Sequence, residues 1–191
     1  MMHNLWATPV YRTSIDTTIA EEMANTLLFN YDMNKFPSDF GKINVLENPD
    51  EHINKFKENV IYPAFNSFLS ESLNRNISDW KSHKMKGWIA GTNNNNYSIG
   101  HHNHRGAQIS AVFYLMCENQ KSGGNITFTD PRQNSNRGYD ESFMPWFENL
   151  SFVPQTGDII VFPSFLYHYV STYQHNIRLA LPVDLFLHTH S

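Results

Sequence analysis

The chain has 191 residues, enough to bury a sizeable core, and 14% of them are aromatic, which excludes a disordered polymer. Its formal net charge is -4, so no overall basic field marks it for nucleic acid, and no local basic patch stands out. The single cysteine, Cys117, excludes an internal disulfide, reads as a buried, unreactive thiol in the apolar run 109–117, and fits a reducing compartment.

From the N-terminus, no basic region followed by an apolar stretch suggests a signal peptide, and no apolar run is long enough to span a bilayer. The first expected element is a helix capped by Thr17 or Thr18 and running through Asn30, with Glu21 and Glu22 in its first turn. Its apolar positions Ile19, Met23, Leu27 and Leu28 recur at helical spacing. A second helix starts near Pro49-Asp50-Glu51, with the stripe Ile53, Phe56, Val60, Ala64, Phe65, Phe68 and Leu69. Pro63 lies inside that stripe and should kink it. Both stripes read as core faces.

After Asn76, short apolar runs alternate with Gly, Asn and Pro. Strands are expected at Lys84–Ala90, Ala107–Met116, Asn125–Thr129, Asn149–Val153, Asp158–Phe162, Tyr167–Thr172 and Ile177–Leu187. Asn93 to Asn96 reads as a loop. The stretch from Pro131 to Glu148, with Gly138 and Pro145, has the length of a lid or binding loop. Helical support over about 15–76 followed by a barrel over about 84–188 predicts one mainly β domain spanning 1–191. The expected form is a jelly roll with helices packed on one face.

Histidines cluster at His101, His102 and His104. In an extended strand His102 and His104 point to one face, and His101 to the other. His168 lies in another strand-like segment. Three neutral imidazoles suit Fe, Zn, Cu or Ni. With 10 histidines in the chain, the cluster reads equally well as a solvated loop. A closed zinc site would want a fourth ligand, and no cysteine pair can supply it. Arg178 follows His168 by ten residues and interrupts the apolar alternation Ile177-Arg-Leu-Ala-Leu. An inward arginine needs an anion, either a local acid such as Asp158 or Asp184 or a ligand carboxylate.

The motifs form an ordered set: Gly100-His-His102-Asn-His104, Ile109-Ser-Ala-Val-Phe-Tyr114-Leu, and Gly123-Gly124-Asn-Ile-Thr-Phe128. Thr156-Gly157-Asp158-Ile-Ile-Val-Phe162-Pro-Ser164, His168-Tyr-Val170 and Arg178 follow. In this order the chain resembles the 2-oxoglutarate- and Fe(II)-dependent oxygenases, in their prolyl-hydroxylase-like branch. It is similar to bacterial and phage members of unassigned substrate whose first motif reads His-x-His, and whose opening is similar to Leu5-Trp6-Ala-Thr8-Pro9. The resemblance covers most of the chain and is strongest over 86–187. No single motif is specific, but the ordered set is.

The resemblance implies a double-stranded β-helix with His102 and His168 as iron ligands. Arg178 would clamp the distal carboxylate of 2-oxoglutarate, and Tyr114 or Tyr97 would donate a hydrogen bond to it. Ser164 and Val170 would lie near the site without a catalytic role. His104 stands where the family usually places Asp or Glu, which leaves the site one unit more positive. His104 is the expected third ligand. The alternatives are water or halide in its place, or Asp130 from elsewhere, although Asp130-Pro131 also reads as a turn.

The implied reaction uses Fe(II), 2-oxoglutarate and O₂. It couples oxidative decarboxylation to succinate and CO₂ with C–H oxidation, usually hydroxylation, of a small-molecule or peptidyl substrate. Trp88, Tyr139, Phe143, Trp146 and Phe147 would line the mouth or pack. Two other readings stay open: a cupin-type three-histidine enzyme without 2-oxoglutarate, and a non-catalytic barrel whose histidines hold zinc. A cytoplasmic location, in a bacterium or phage-infected host, is expected, with no membrane partner. A homodimer is compatible with the sequence.

Overall fold

The computed structural model describes residues 7–32, 42–92, 97–117, 123–132, 149–174 and 178–188. A short strand, β1 (Tyr11–Ser14), precedes helix α1 (Thr17–Asn30). The cap is Asp16 rather than a threonine: its Oδ1 accepts from the Thr18 N–H at 2.8 Å and the Thr18 hydroxyl at 2.6 Å. A carboxylate at the N-terminus also complements the helix dipole. The first turn therefore ends before Glu21 and Glu22. Ala20, Met23, Ala24 and Leu27 are buried, whereas Ile19 is 41% exposed, so the buried face is rotated from the expected stripe.

Helix α2 (Glu51–Phe56) is capped by Asp50 and continues through a π-helical turn, Lys57–Ile61, into α3 (Tyr62–Leu73). This turn immediately precedes Pro63, where the sequence predicts a kink. Proline lacks an N–H and crowds the carbonyl four residues back, and a wider turn immediately before it relieves both problems. All seven expected stripe residues are buried.

The remaining strands are β2 (Ser82–Gly87), β3 (Ala90–Thr92), β4 (Tyr97–His102), β5 (Ile109–Cys117), β6 (Ile126–Phe128), β7 (Leu150–Phe152), β8 (Asp158–Pro163), β9 (His168–Tyr173) and β10 (Arg178–His188). They form two sheets with antiparallel pairing. The larger runs β1-β8-β5-β10-β2, with β3 also on β10, and the smaller runs β4-β9-β6-β7. The run expected at 84–90 divides into β2 and β3, because the chain leaves the ladder at Trp88 and Ile89. Strands β1 and β4 are additions to the expected set. Their half-exposed, polar-rich sequences carry little apolar alternation.

Residue parity separates two cores. On β5, β8 and β10, the residues Phe113, Leu115, Ile159, Val161, Leu181 and Val183 pack with the helices in one cluster. Their neighbours Val112, Tyr114, Ile160, Phe162 and Ala180 pack in a second, with Ile126 and Phe128 of the smaller sheet. The result is a mainly β jelly roll with helices on one face. A strand buried on both faces reads as a continuous apolar run, which is why β5, β8 and β10 were legible. A bulge between Leu179 and Ala180 opposes Ala180 to Tyr114 and Leu179 to Met116, skipping Leu115. It leaves both Tyr114 and Cys117 against the inner cluster. Among the described residues no helix is long and apolar enough to cross a membrane. Leu5, Trp6, Tyr139, Phe143, Trp146 and Phe147 lie outside the described residues, as do Asn93 to Asn96 and most of the expected lid.

Candidate metal centre and cosubstrate cleft

Three histidines meet at one end of the barrel interior. The β4–β9 register shifts twice, between Tyr97 and Ile99 and between Ile99 and His102, and this brings His102 opposite His168. His104 lies beyond that strand, whereas the His-x-His spacing predicts both rings on one extended strand. It follows the end of β4, and its N–H donates to the Ser164 carbonyl at 3.0 Å. Candidate ligand nitrogens of His102, His104 and His168 all lie within 4.8 Å of one another.

Each ring is held by its Nδ1. His102 faces the Gly100 carbonyl at 2.8 Å, His168 the Leu166 carbonyl at 3.0 Å, and His104 Oδ1 of Asp184 at 2.6 Å. A carbonyl or carboxylate oxygen can only accept, so each Nδ1 carries the proton. Each Nε2 then presents a lone pair, the form a metal cation requires. Burial pushes the His168 ring down to about 3 and lowers His102 as well, which favours neutral imidazoles near neutral pH.

Arg178 lies at the other end of the same interior and is 2% exposed. Neither acid considered as its partner pairs with it. Asp158 binds Arg12 at 2.8 Å, and Asp184 binds His104. The Arg178 Nη2 reaches the Gly124 carbonyl at a long 3.4 Å, and its Nε has no partner among the described residues. Its guanidinium carbon stands 5.4 Å from the centre of the Tyr114 ring, whose hydroxyl is buried and likewise unpartnered. Between triad and arginine the walls are apolar: Ile99, Val112, Ile126, Val170 and Ala180.

A family model described as "Putative 2OG-Fe(II) oxygenase" matches residues 86–184, more than half of the chain. The chain belongs to this family. It is thus an oxidoreductase that uses Fe(II), 2-oxoglutarate and O₂. A sequence search of the curated proteins returns no match. Similar solved structures include a Pseudomonas putida prolyl-4-hydroxylase, 13% identical, with a TM-score of 0.62 over 98% of this chain and 91% of that one. A Trichoplax adhaerens prolyl hydroxylase, in complex with a hypoxia inducible factor peptide fragment, is 12% identical, with a TM-score of 0.64 over 93% and 83%. The epimerase SnoN, in complex with Fe3+, alpha ketoglutarate and nogalamycin RO, is 12% identical, with a TM-score of 0.65 over 94% and 79%. At these identities the likeness is one of fold, the double-stranded β-helix.

The donor atoms of this oxygenase fit both groups. One ring nitrogen from each of three histidines lies within 4.8 Å of the others, a spacing that suits a ferrous ion. The unpartnered Nε of Arg178 and hydroxyl of Tyr114 are what a carboxylate would satisfy, since a buried unpaired guanidinium costs several kcal/mol. Tyr97 is half-buried; burial raises its hydroxyl while the Arg178 charge lowers it, so it lies within the field of that cation.

Asp130 is not part of the cluster. It holds Arg132 through a 2.6 Å ion pair and accepts from the Arg132 N–H at 2.7 Å, as a turn former does. His101 faces outward, stacked on Tyr167 at 5.0 Å. Trp88 packs against His104, with ring centres 5.4 Å apart. Cys117 is only partly buried rather than fully so, because it ends β5, and burial still pushes its thiol up to about 11. Val170 is a wall of the cleft.

Two positioning residues were missed from sequence. In the sequence Asp184 reads only as a partner for Arg178, and Ser110 carries no signal. Ser110 donates to Asp184 Oδ1 at 2.6 Å and meets Ser164 Oγ at 2.8 Å. The signal for Asp184 was its parity: it is an acid in an apolar strand on the same face as Arg178.

Proposed function

We propose that His102, His104 and His168 hold Fe(II) through their Nε2 atoms, and that Arg178 and Tyr114 hold the distal carboxylate of 2-oxoglutarate. The proposed outcome is hydroxylation of a small-molecule or peptidyl substrate. Bound Fe(II) and 2-oxoglutarate supply, with O₂, the oxidising chemistry that yields succinate and CO₂ while a C–H bond is oxidised.

The observation that carries this reading is the shared interior: a three-imidazole cluster and a buried arginine with no carboxylate partner among the described residues line one apolar-walled cleft. The chain's own residues bind, orient and exclude water. Gly100, Leu166 and Asp184 fix the ring orientations. Arg178 offers a planar, permanently charged fork that suits a carboxylate. Tyr114 offers one O–H donor beside it, and Tyr97 is the second candidate donor. The apolar walls keep the space between the two ends poor in water, which strengthens every ionic contact made there.

Anaerobic titration of the Fe(II)-loaded protein with 2-oxoglutarate, followed by visible absorbance, tests the reading. A charge-transfer band that Arg178→Ala abolishes supports it. Bound iron with no response to 2-oxoglutarate would favour a cosubstrate-free three-histidine enzyme. Failure to bind iron would favour a non-catalytic barrel.

A further inference from the structure

Asp184 is a buried carboxylate, and its hydrogen bonds come from His104 and Ser110. A carboxylate taken out of water needs positive charge nearby. Arg178 points into the same interior but is six positions away along β10, roughly 20 Å at the rise of a strand. Lys86 stands opposite Asp184 in the β2–β10 register, on an edge strand and half-buried. The contact within direct reach is Nδ1 of His104, at 2.6 Å, whose other nitrogen belongs to the histidine cluster. The carboxylate is therefore aimed, through one imidazole ring, at the position a cation would occupy.

The charges of the loaded interior lead to the same point. A ferrous dication and a dianionic 2-oxoglutarate cancel, and Arg178 adds one positive charge that three neutral imidazoles leave unbalanced. Asp184 balances it. We infer that Asp184 supplies the anionic charge of the metal centre from one ring away, orienting His104 and raising the donor strength of its Nε2. This rests on the metal-centre reading above and assigns Asp184 a positioning role, since it does not touch the reacting atoms. Ser110 and Ser164 complete the device: the Ser110 hydroxyl steadies Oδ1 of Asp184, and the Ser164 carbonyl holds the His104 backbone.

The test is a double-mutant cycle read by Co(II) affinity and Co(II) visible spectra, on the full chain and without 2-oxoglutarate or turnover. Asp184→Asn keeps an oxygen that can accept from Nδ1 but removes the charge. It should weaken Co(II) binding roughly 10- to 100-fold and shift the Co(II) bands, as loss of such outer partners does. Lys86→Met should leave Co(II) affinity close to the parent value. In a His104→Asp background the anion is already at the cluster and Asp184 would repel it. There Asp184→Asn should cost nothing or tighten binding, a non-additivity that a purely structural role does not produce.

Unchanged affinity in Asp184→Asn overturns the inference, as does an equal penalty in both backgrounds. A double variant that binds no Co(II) overturns it too. A parent protein that binds no Co(II) overturns the metal-centre reading with it, so the two failures are distinguishable. Thermal unfolding of each variant separates loss of the fold from loss of the site.

Discussion

Arg178 and Asp184 lie on the same inward face of β10, one at each end of the barrel interior. One strand thus carries a buried cation to one end and a buried anion to the other. Neither neutralises the other, because the strand holds them apart. Asp184 meets the ring of His104, and Arg178 has no carboxylate partner among the described residues.

Replacing Arg178 by Ala should weaken 2-oxoglutarate binding by roughly 30- to 150-fold, the size of a charge-assisted hydrogen-bond pair. Metal affinity should stay near the parent value, because the arginine is not among the three clustered histidines. Calorimetry of the Mn(II)-loaded protein separates the two effects. If metal and cosubstrate affinity fall together, Arg178 acts through the fold.

Tyr114→Phe should move stability and binding in opposite directions. The ligand-free protein should gain about 1 kcal/mol, since a buried hydroxyl without a partner is removed. For a chain of this size that is a rise of about 2–4 °C in melting temperature. Affinity for 2-oxoglutarate should fall roughly 10- to 150-fold, as expected for losing one hydrogen bond to a charged group. A variant that is less stable and binds unchanged would show that the hydroxyl faces no ligand.

His168→Ala should remove measurable iron binding, read by metal analysis after desalting. Among the triad, His168 is the most central ring, 4.3 Å from His102 and 5.1 Å from His104 between ring centres. The two remaining imidazoles would make a weak, labile site.

The metal-free protein should lose stability in acid because of the same ring. Burial holds the folded His168 near 3, against an ordinary value of 6.5. Below 6.5 the unfolded chain takes up a proton that the folded chain refuses, so stability is full above that value and falls as pH drops toward 3. His102 acts in the same direction. Urea midpoints of the metal-free protein between pH 7 and pH 4 should therefore fall less steeply in His168→Gln. Equal slopes would mean that carboxylates set the acid limit.

Gly123→Ala should destabilise the fold by roughly 1–3 kcal/mol or more. Gly123 has φ +80°, and an added Cβ would collide with the Thr172 carbonyl oxygen of β9. The following Gly124 carries the carbonyl that meets Arg178, so the displacement should also loosen 2-oxoglutarate binding. A melting temperature equal to the parent would contradict the close approach.

Much of the site was legible before any fold was known. The acceptor types around Pro49-Asp50-Glu51, the seven-residue stripe of α2 and α3, and the doubly buried strands are local patterns, and local patterns follow from helix and strand periodicity. The ordered set from His102 to Arg178 identified the family because each motif occupies a fixed place in the barrel. The errors also have local causes. Asp16 outcompeted Thr17 as a cap, and polar strands β1 and β4 lacked the alternation that marks an element.

The amino-acid sequence by itself determined the chemistry available: three imidazoles, one inward guanidinium and a mainly β frame to carry them. Tertiary structure alone decided who meets whom. His104 reaches Asp184 across 80 positions of chain, Asp158 goes to Arg12 rather than Arg178, and Asp130 stays with Arg132. Sheet register makes those choices, and register is set by cooperative burial over every strand at once. Two slips between β4 and β9 bring His102 against His168, and one bulge beside Tyr114 keeps that ring under Arg178. No single segment contains that information, because each displacement is stable only when the neighbouring strands accept it.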